Sequence, residues 1–404
     1  MNKDVEVLIS GGGLIGLLLA TACAGAGLEV AIVDPTDPAT ALDKGFDGRC
    51  SALAYGSRQV LAALGLWPEI SPYAEPILEI RVADDESLLF LHYDHRQLET
   101  GAPLGYVVDN LVLRRALIER ARSLPNLSFL TRVTVGSVET STFGAVTSLA
   151  DGRRIKSRLV VAADGQNSPL RRGAGIGAIE WRYGQIGIVT TVRHERSHGG
   201  VAVEHFLPAG PFAILPMNGN RSSIVWTEGG QLATRLVGLR DAAFAAELAA
   251  RFGDFLGTVE LIGKRWTYPL GLMLAERYIA RRLALVGEAA HVIHPIAGQG
   301  LNLGIRDVAA LAELVIDTRR LGLDIGDDAL LDRYQRWRHF DTLLLTAITD
   351  GLNRLFSNSI APMRLVRDLG FAIVHRLPPL KRVLMRDAMG IVGDLPRLVR
   401  GEPL

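Results

Sequence analysis

The sequence predicts an α/β fold, and three observations support this prediction. An apolar strand pattern near the amino terminus leads through a glycine-rich turn into an apolar helix pattern and a second strand. A strand pattern at 283–286 leads through another glycine-rich loop into a helical pattern at 308–316. Alternating apolar and polar residues, separated by Gly, Pro and Asn turns, fill much of 180–277, as in an antiparallel sheet. Together they indicate a Rossmann-like domain interwoven with an antiparallel-sheet domain, followed by C-terminal helices.

The first glycine-rich turn follows a strand predicted at 5–10 and fits the pattern G-x-G-x-x-G. A helix at 17–26 and a strand at 29–33 complete a β-α-β unit, and Asp34 ends that strand. In such units the glycines permit a tight turn and close approach of a pyrophosphate, while the acid accepts hydrogen bonds from ribose hydroxyls. A merely structural glycine turn is the alternative, but the β-α-β context favours dinucleotide binding. The glycines of the motif are Gly11, Gly13 and Gly16.

The loop at 287–307 is suited to a flat ligand. Gly298, Gly300 and Gly304 lack the Cβ atom that would keep a ligand away from the backbone. Pro295 fixes one local φ angle. The free N–H groups at the start of the following helix form a positive end that suits an anionic ring edge. The loop therefore predicts a flavin site.

The run His294-Pro295-Ile296-Ala297-Gly298-Gln299-Gly300-Leu301-Asn302-Leu303-Gly304, followed by Arg306-Asp307, resembles a signature of the FAD-dependent hydroxylases of ubiquinone biosynthesis. These are single-component aromatic monooxygenases with the para-hydroxybenzoate hydroxylase fold. The resemblance implies FAD as cofactor, O2 as co-substrate, and reduced nicotinamide (NADPH or NADH) or another electron donor. It also implies hydroxylation of a polyprenylated phenol through a flavin C4a-hydroperoxide. Since the cofactor performs that chemistry, no side chain is predicted as an obligatory acid or base.

The resemblance also implies cofactor contacts. The strand pattern at 159–163 ends in Asp164, which in the family lies near the pyrophosphate but is equally compatible with a turn residue or a helix N-cap. Arg49 and Arg114 match family arginines, and a planar guanidinium donates to two phosphate oxygens at once. An ordinary surface arginine is the alternative for each. The predicted cofactor-binding residues are Gly11, Gly13, Gly16, Asp34, Arg49, Arg114, Asp164, Gly287, Glu288, Pro295, Gly298, Gln299, Gly300, Leu301 and Asn302.

Two positions depart from the family pattern. The usual Gly-Asp after the strand is here Gly287-Glu288, with one more methylene, and Asp34 stands where glutamate is frequent.

Glu288, His291 and His294 also offer three metal ligands in the pattern E-x-x-H-x-x-H. Pro295 and the glycines indicate that no helix aligns these three side chains, so we predict no metal site. We expect His291 to pack or hydrogen-bond beside the flavin.

The two domains are predicted to be interwoven. The FAD-binding domain takes 1–76, 101–179 and 278–350, the substrate-binding sheet takes 77–100 and 180–277, and a helical segment takes 351–404. Within the sheet, 204–217 resembles the family segment that covers the flavin face at the substrate ring, where apolar walls exclude water. The predicted substrate contacts are His205, Phe206 and Pro216, and ordinary core packing is the alternative for each.

Composition limits the class of protein. The 404 residues are 48% hydrophobic and 22% charged, which is typical of a folded enzyme with more than one domain. A net charge of +1, without a long basic run and interleaved aromatics, predicts no nucleic-acid partner. The two cysteines, Cys23 and Cys50, allow no disulfide framework and favour a reducing compartment, with Cys23 as a small buried hydrophobe.

Membrane association is predicted only at the surface. Residues 7–33 are apolar, but preceding acids and internal glycines indicate a cofactor-binding core instead of a span. From residue 353 onward, basic residues outnumber acidic ones among apolar runs, which fits either a solvated helix on the core or an amphipathic surface on anionic lipid. A membrane-dissolved substrate favours a cytoplasmic protein, peripheral on the inner face of the membrane, near other ubiquinone-biosynthesis proteins.

Two alternative functions remain open from the sequence. A hydroxylase of a water-soluble aromatic compound would share the fold but be indifferent to an isoprenoid tail. A catalytically silent flavoprotein would serve as a scaffold in the biosynthetic assembly, and the irregular Glu288 mildly favours it. Fold analogy alone does not choose the substrate.

Overall fold

A computed structural model describes residues 4–37, 40, 42, 48–84, 90–356 and 377–404. In chain order its strands are β1 (Asp4–Ser10), β2 (Val30–Asp34), β3 (Cys50–Ala54), β4 (Glu75–Ile77), β5 (Glu79–Asp84), β6 (Phe90–Asp94), β7 (Gly105–Asp109), β8 (Leu127–Thr131), β9 (Val135–Thr140), β10 (Ala145–Leu149), β11 (Arg154–Ala162), β12 (Ala178–His194), β13 (Val201–Leu207), β14 (Gly210–Met217), β15 (Arg221–Gly229), β16 (Val259–Leu261), β17 (Trp266–Ala275), β18 (Ile279–Ala280), β19 (Leu283–Leu285) and β20 (His291–Val292). The helices are α1 (Leu14–Gly25), α2 (Tyr55–Ala63), α3 (Trp67–Ile70), α4 (Asn110–Arg122), α5 (Pro169–Gly173), α6 (Gly230–Val237), α7 (Asp241–Phe252), α8 (Gln299–Arg320), α9 (Asp328–Phe356), α10 (Pro378–Ala388) and α11 (Arg397–Arg400).

An eight-stranded sheet is built on parallel strands. Its order is β18-β19-β11-β1-β2-β8, and β10 and β9 extend it beside β11. Leu8, Ile9 and Val160 are each 0% exposed. Because consecutive strand residues point to opposite faces, this run of buried residues means that both faces are covered. The carboxyl ends of β2, β1 and β11 therefore meet at one protected edge, where α/β sheets bind ligands.

A nine-stranded sheet, in the order β20-β17-β12-β15-β14-β13-β5-β6 with β16 beside β12, is antiparallel except between β13 and β5. One face, the outer face, packs against α6 and α7 through residues such as Phe212, Trp226 and Phe244. The other, inner face turns toward the rest of the protein. There Phe206 packs with Ile296, which precedes α8.

The predicted elements agree closely with the observed ones. The alternating runs at 186–192, 202–206 and 222–227 lie inside β12, β13 and β15. The helix predicted at 308–316 is part of α8, which already begins at Gln299 because the glycines of its first turns are compatible with helical geometry. Cys23 is buried, as predicted, and Cys50 is partly buried.

The domain boundaries stay a prediction. Most strands of the nine-stranded sheet come from 77–100 and 180–277, but β20 joins that sheet from within 278–350. The C-terminal segment supplies α10 and α11, while 357–376 falls outside the described residues. Among the helices that the structure describes, none combines the length and the apolar character needed to cross a bilayer.

Candidate functional site

The first glycine motif joins β1 to α1 at a point where backbone segments pack closely. Gly11 has φ +108°, and a Cβ atom there would overlap the carbonyl oxygen of Ala163. A Cβ atom on Gly16 would overlap the carbonyl oxygen of Gly11. At Gly13 the same atom would meet nothing within 4 Å. Gly11 and Gly16 therefore permit close packing of β1, α1 and β11, whereas Gly13 leaves open space for a ligand.

Asp34 ends β2 directly beside this motif. Its Oδ2 accepts a hydrogen bond from the Gly12 backbone N–H at 2.5 Å, and its Oδ1 accepts from the Thr36 N–H and hydroxyl at 2.7 Å each. These bonds fix the carboxylate at the edge of the sheet next to the glycine turn. The structure thus brings Asp34 and the glycines together, as a ribose and pyrophosphate site requires.

Asp164 lies after β11 on the same edge. The N-cap of α5 is Ser168, whose hydroxyl accepts from the Arg171 N–H at 3.0 Å, so Asp164 is not the cap residue. Its Oδ2 accepts from the Leu170 N–H at 3.4 Å, whereas the buried Oδ1 has no hydrogen-bond partner among the described residues. Burial raises the pKa of the Asp164 carboxyl group. An unpartnered acceptor here is suited to a hydroxyl donor on a bound ligand.

The second glycine loop meets the first through Ile15. A Cβ atom on Gly287, whose φ is +61°, would lie 3.2 Å from the Ile15 side chain, and one on Gly304 would lie 2.7 Å from it. Gly298 is left-handed at φ +62° and forms the N-cap of α8. Pro295 and Gly300 are exposed beside it, and Gln299 and Leu301 are half-buried in the first turn. The N-terminus of α8 therefore lies in the loop, as predicted.

Asn302 holds this loop against β3. Its Oδ1 accepts from the Ala54 N–H at 2.9 Å, and its Nδ2 donates to the carbonyls of Ala52 at 2.9 Å and Gly298 at 3.0 Å. The side-chain amide is thus occupied by protein partners. The Asn302 side chain therefore positions the loop. A cofactor contact by Asn302 stays a prediction, and it would involve the backbone of this residue.

The two predicted arginines lie on neighbouring elements. Arg49 is exposed just before β3, and its carbonyl accepts from the N–H of Asn110, the first residue of α4, at 3.1 Å. Arg114 follows one turn later on α4 and is half-buried. Both are therefore close to the loop that Asn302 holds, and their phosphate contacts stay a prediction.

A buried ionic cluster lies behind the loop and was largely missed from the sequence. Asp307, 0% exposed, accepts from the Gly287 N–H at 3.0 Å, from His291 Nε2 at 2.6 Å and from Arg338 Nε at 2.9 Å. Arg338 also donates to Asp341 at 2.9 Å. Burial opposes ionisation of Asp307, but His291 and Arg338 outweigh it and lower its pKa. His291 hydrogen-bonds near the loop as expected, whereas Arg338 lies 31 residues beyond Asp307 on α9, where no local motif marks it.

Glu288, His291 and His294 do not converge on a common point. Glu288 is exposed and His291 bonds Asp307. His294 is 0% exposed, and its two ring nitrogens have no hydrogen-bond partner in the part of the chain that the structure describes. Its ring lies edge-on to that of Tyr183, with the centroids 5.2 Å apart. Burial lowers the pKa of His294 to about 4.

The three predicted substrate residues fall on different faces of the nine-stranded sheet. Phe206 lies on the inner face beside Ile296. His205 alternates with it and lies between Val203 and Leu207, which pack on the outer face. Pro216 is two residues from Ile214 on β14 and therefore lies on the same, outer face. Geometry therefore supports a substrate contact for Phe206 and places His205 and Pro216 away from the loop, because adjacent strand residues point in opposite directions.

Known proteins resemble this chain along most of its length. The sequence profile of the family described as "FAD binding domain" matches residues 4–342. The chain belongs to this family. The Rhodospirillum rubrum protein named "Ubiquinone hydroxylase UbiL" is 51% identical to this FAD-binding protein over 406 residues, covering 100% of this chain and 94% of the relative. The Escherichia coli "3-demethoxyubiquinol 3-hydroxylase" is 33% identical over 392 residues, covering 96% and 100%.

A solved structure agrees in fold. The crystal structure of the p-nitrophenol 4-monooxygenase PnpA from Pseudomonas putida superposes with a TM-score of 0.78 at 20% identity, covering 96% of this FAD-binding protein and 99% of the other chain. The family resemblance, the fold class, FAD as cofactor and the assignment as a flavin-dependent monooxygenase are therefore confirmed.

The site fits FAD on its own geometry. The space beside Gly13, the carboxylate of Asp34 and the unpartnered Oδ1 of Asp164 lie along one sheet edge. The N-terminus of α8 lies in the second loop, which touches the first motif at Ile15. The glycine turn would hold the phosphates of an extended dinucleotide, and the second loop would hold its ring.

Proposed function

We propose that this protein hydroxylates the aromatic ring of a polyprenylated phenol in ubiquinone biosynthesis. Bound FAD, once reduced by a nicotinamide or another donor, supplies the activation of O2. One oxygen atom of O2 replaces a ring hydrogen as a hydroxyl group, and the other leaves as water with the two donor electrons and two protons. The observation that supports this most is the likeness to the Rhodospirillum rubrum ubiquinone hydroxylase, which extends along the whole chain.

The inner face of the nine-stranded sheet supports an aromatic and isoprenoid substrate. Phe206 and Ile296 are 3% and 4% exposed and pack with further apolar side chains of β5, β6 and α9: Val82, Leu91 and Leu355. Apolar walls beside the flavin loop suit a hydrocarbon substrate and exclude water during oxygen transfer. The protein itself binds the substrate, orients its ring and excludes water from the site.

The N-terminus of α8 supports the electrostatic part of the proposal. Gly298 caps a helix of 22 residues, and no acidic residue lies in the first turn. The aligned N–H groups of the first helical turn favour negative charge placed against them. Gly298 and the backbone of this first turn would hold the ring edge of bound FAD and would favour negative charge on it.

We also propose that the protein works at a membrane surface. Phe340, Leu344 and Ile348 follow one another every four residues on α9 and are 68%, 53% and 43% exposed. This spacing places them on one helix face, which we call the α9 stripe. An exposed apolar stripe is costly in water and suits the boundary of a bilayer, where a polyprenylated substrate dissolves.

Two measurements test the proposed function. Deletion of the gene, followed by mass analysis of quinone precursors, should reveal an accumulated intermediate that lacks one ring hydroxyl. The purified protein with FAD and a reductant should then add one oxygen atom from 18O2 to that intermediate. Unchanged quinone precursors in the deletion strain would reject the biosynthetic role, and equal turnover of the same phenol without its tail would favour the water-soluble alternative.

A further inference from the structure

One carboxyl group on the inner face of the nine-stranded sheet takes no part in the FAD site. Glu204 lies in the middle of β13, flanked on the same face by Ala202 and Phe206. Directly opposite it are Ala213 on β14 and Val82 on β5. Since opposite residues of paired strands share a face, the Glu204 side chain emerges among apolar side chains.

The Glu204 carboxyl group has no partner in the part of the chain that the structure describes. None of the hydrogen bonds or ion pairs formed there involves it. Burial alone raises its pKa to about 8, with no charged neighbour contributing. The residue nevertheless keeps partial solvent exposure. A side chain that is crowded by protein yet still accessible points into a concave space, not into a packed core.

A carboxyl group in such surroundings lowers stability unless a partner arrives. The flavin loop is close, because Phe206, two residues away on the same face, packs with Ile296. Apolar walls with one polar group are the composition of a site that orients an amphipathic aromatic ligand. The missing partner therefore belongs to a ligand of the inner face.

We propose that Glu204 hydrogen-bonds the phenolic hydroxyl of the substrate and thereby orients its ring toward the flavin loop. This inference rests on the proposed function, since it names the group that recognises the phenol on the inner face. Near neutral pH a carboxyl group with a raised pKa is protonated, so it both donates to and accepts from a hydroxyl group. Glu204 is a substrate-binding residue in this account, and no proton abstraction is assigned to it.

A purely structural role makes the opposite prediction for stability. If Glu204 supported the sheet, its removal would lower the melting temperature. If Glu204 instead binds a ligand, it has no hydrogen-bond partner among the described residues when that ligand is absent. Glu204→Leu then removes an unpartnered polar group from apolar surroundings, and the melting temperature of the FAD-loaded protein should rise by about 1–3 °C. Loss of binding combined with gain of stability is the expected signature of a ligand-recognition residue.

The binding test uses two probes that differ by one hydroxyl group, 2-farnesylphenol and farnesylbenzene. Their affinities for full-length, FAD-loaded protein are measured from the change in flavin absorbance. We expect the wild type to bind the phenol at least about tenfold more tightly than the hydrocarbon, the ratio that one buried hydrogen bond supplies. Glu204→Leu should bring that ratio close to one, and Glu204→Gln, which keeps a donor and an acceptor, should retain most of it.

Glu228→Leu is the matched control. Glu228 is a carboxyl group of the same sheet, 7% exposed, which accepts from the Gly229 N–H at 3.0 Å and pairs with Ile186 of the outer face. Its removal should lower the melting temperature and leave the ratio unchanged. Should Glu204→Leu fail to fold, Glu204→Met provides the same loss of hydrogen bonding.

The outcomes separate this inference from the proposed function. A wild-type ratio near one, or a ratio that survives in Glu204→Leu and Glu204→Met, overturns the role of Glu204 even if the wild type hydroxylates the phenol. A wild type that binds neither probe and inserts no oxygen overturns the proposed function and this inference with it. A Glu204-dependent ratio without turnover supports the recognition role and counts against the hydroxylation.

Discussion

The Nε atom of Arg338 donates to Oδ1 of Asp307 over 2.9 Å, and both side chains are at most 1% exposed. The same carboxylate holds the Gly287 N–H with its other oxygen, at 3.0 Å. One buried ion pair therefore connects α9 to the loop at 287–307. Two charges away from water are stabilised only when their hydrogen-bonding groups have partners. His291 and Asp341 supply two of these partners, whereas the buried Nη2 atom of Arg338 has none among the described residues.

Removal of Arg338 should weaken both folding and flavin binding. Arg338→Met leaves the buried Asp307 carboxylate without its arginine partner, so we expect the free energy of unfolding to fall by about 3–5 kcal/mol. Because Gly287 then loses a rigid acceptor, the flavin-to-protein absorbance ratio should fall as well. Urea unfolding and absorbance spectra provide the two measurements. Arg336→Met, at an exposed position of the same helix, should change neither value.

The glycines of the first motif should separate binding from folding. Gly13→Val adds atoms in open space, so the apoprotein should melt at nearly the wild-type temperature while flavin occupancy drops. Gly16→Ala should instead lower stability, because its Cβ atom overlaps the Gly11 carbonyl. Gly300→Asp and Arg49→Ala should lower flavin occupancy, the first by adding negative charge at a helix N-terminus and the second by removing a phosphate donor. Full flavin occupancy in all of these variants except Gly16→Ala would reject the assigned site.

Local motifs were predictable from the sequence, and long-range partners were not. Gly11, Gly16 and Asp34 were identified because their roles depend on spacing within one β-α-β unit. Arg338 and Tyr183 were not, since their contacts with Asp307 and His294 join residues far apart in the chain.

The orientation of β13 shows a second limit. Both faces of this strand carry apolar side chains: Ala202 and Phe206 point to one side, and Val203 and Leu207 to the other. Alternation alone therefore does not reveal which face meets the flavin. His205 and Phe206 were both named as substrate contacts for this reason, although neighbouring residues on a strand cannot share a face. Glu204 was overlooked because a single carboxylate in a strand resembles an ordinary surface residue.

His294 should make the protein sensitive to mild acid. The ordinary pKa of 6.5 is lowered to about 4 in the folded state, mainly by burial. The unfolded chain thus binds a proton below pH 6.5 that the folded chain excludes until about pH 4, so stability is lost as pH falls through this window. The loss attributable to His294 is about 3 kcal/mol.

Thermal unfolding between pH 7 and pH 4 measures this effect. Subtracting the curve of His294→Phe from that of the wild type cancels the contribution of all other groups, and the difference should grow toward acid. His92→Gln, at a half-exposed histidine, serves as the control. Parallel wild-type and His294→Phe curves would contradict the assignment of the acid sensitivity to His294.

The α9 stripe should bind lipid. Replacement of Phe340, Leu344 and Ile348 by serine removes three exposed apolar side chains, and partition into vesicles of phosphatidylcholine and phosphatidylglycerol should fall at least about tenfold. Vesicle sedimentation measures the bound fraction. Phe143→Ser alters a residue that is 90% exposed beside the eight-stranded sheet, and it should leave binding intact. Equal partition of the triple variant and the wild type would show that α9 is not the contact surface.

Ladder hydrogen bonds between β13 and β14 fix which of their side chains share the inner face, where Phe206 packs with Ile296. Under the proposed function, engineering of ring selectivity is therefore a problem of side-chain size and polarity at every second position. A library restricted to 202, 204, 206, 211, 213 and 215 would sample the whole wall while leaving the intervening residues to preserve the scaffold.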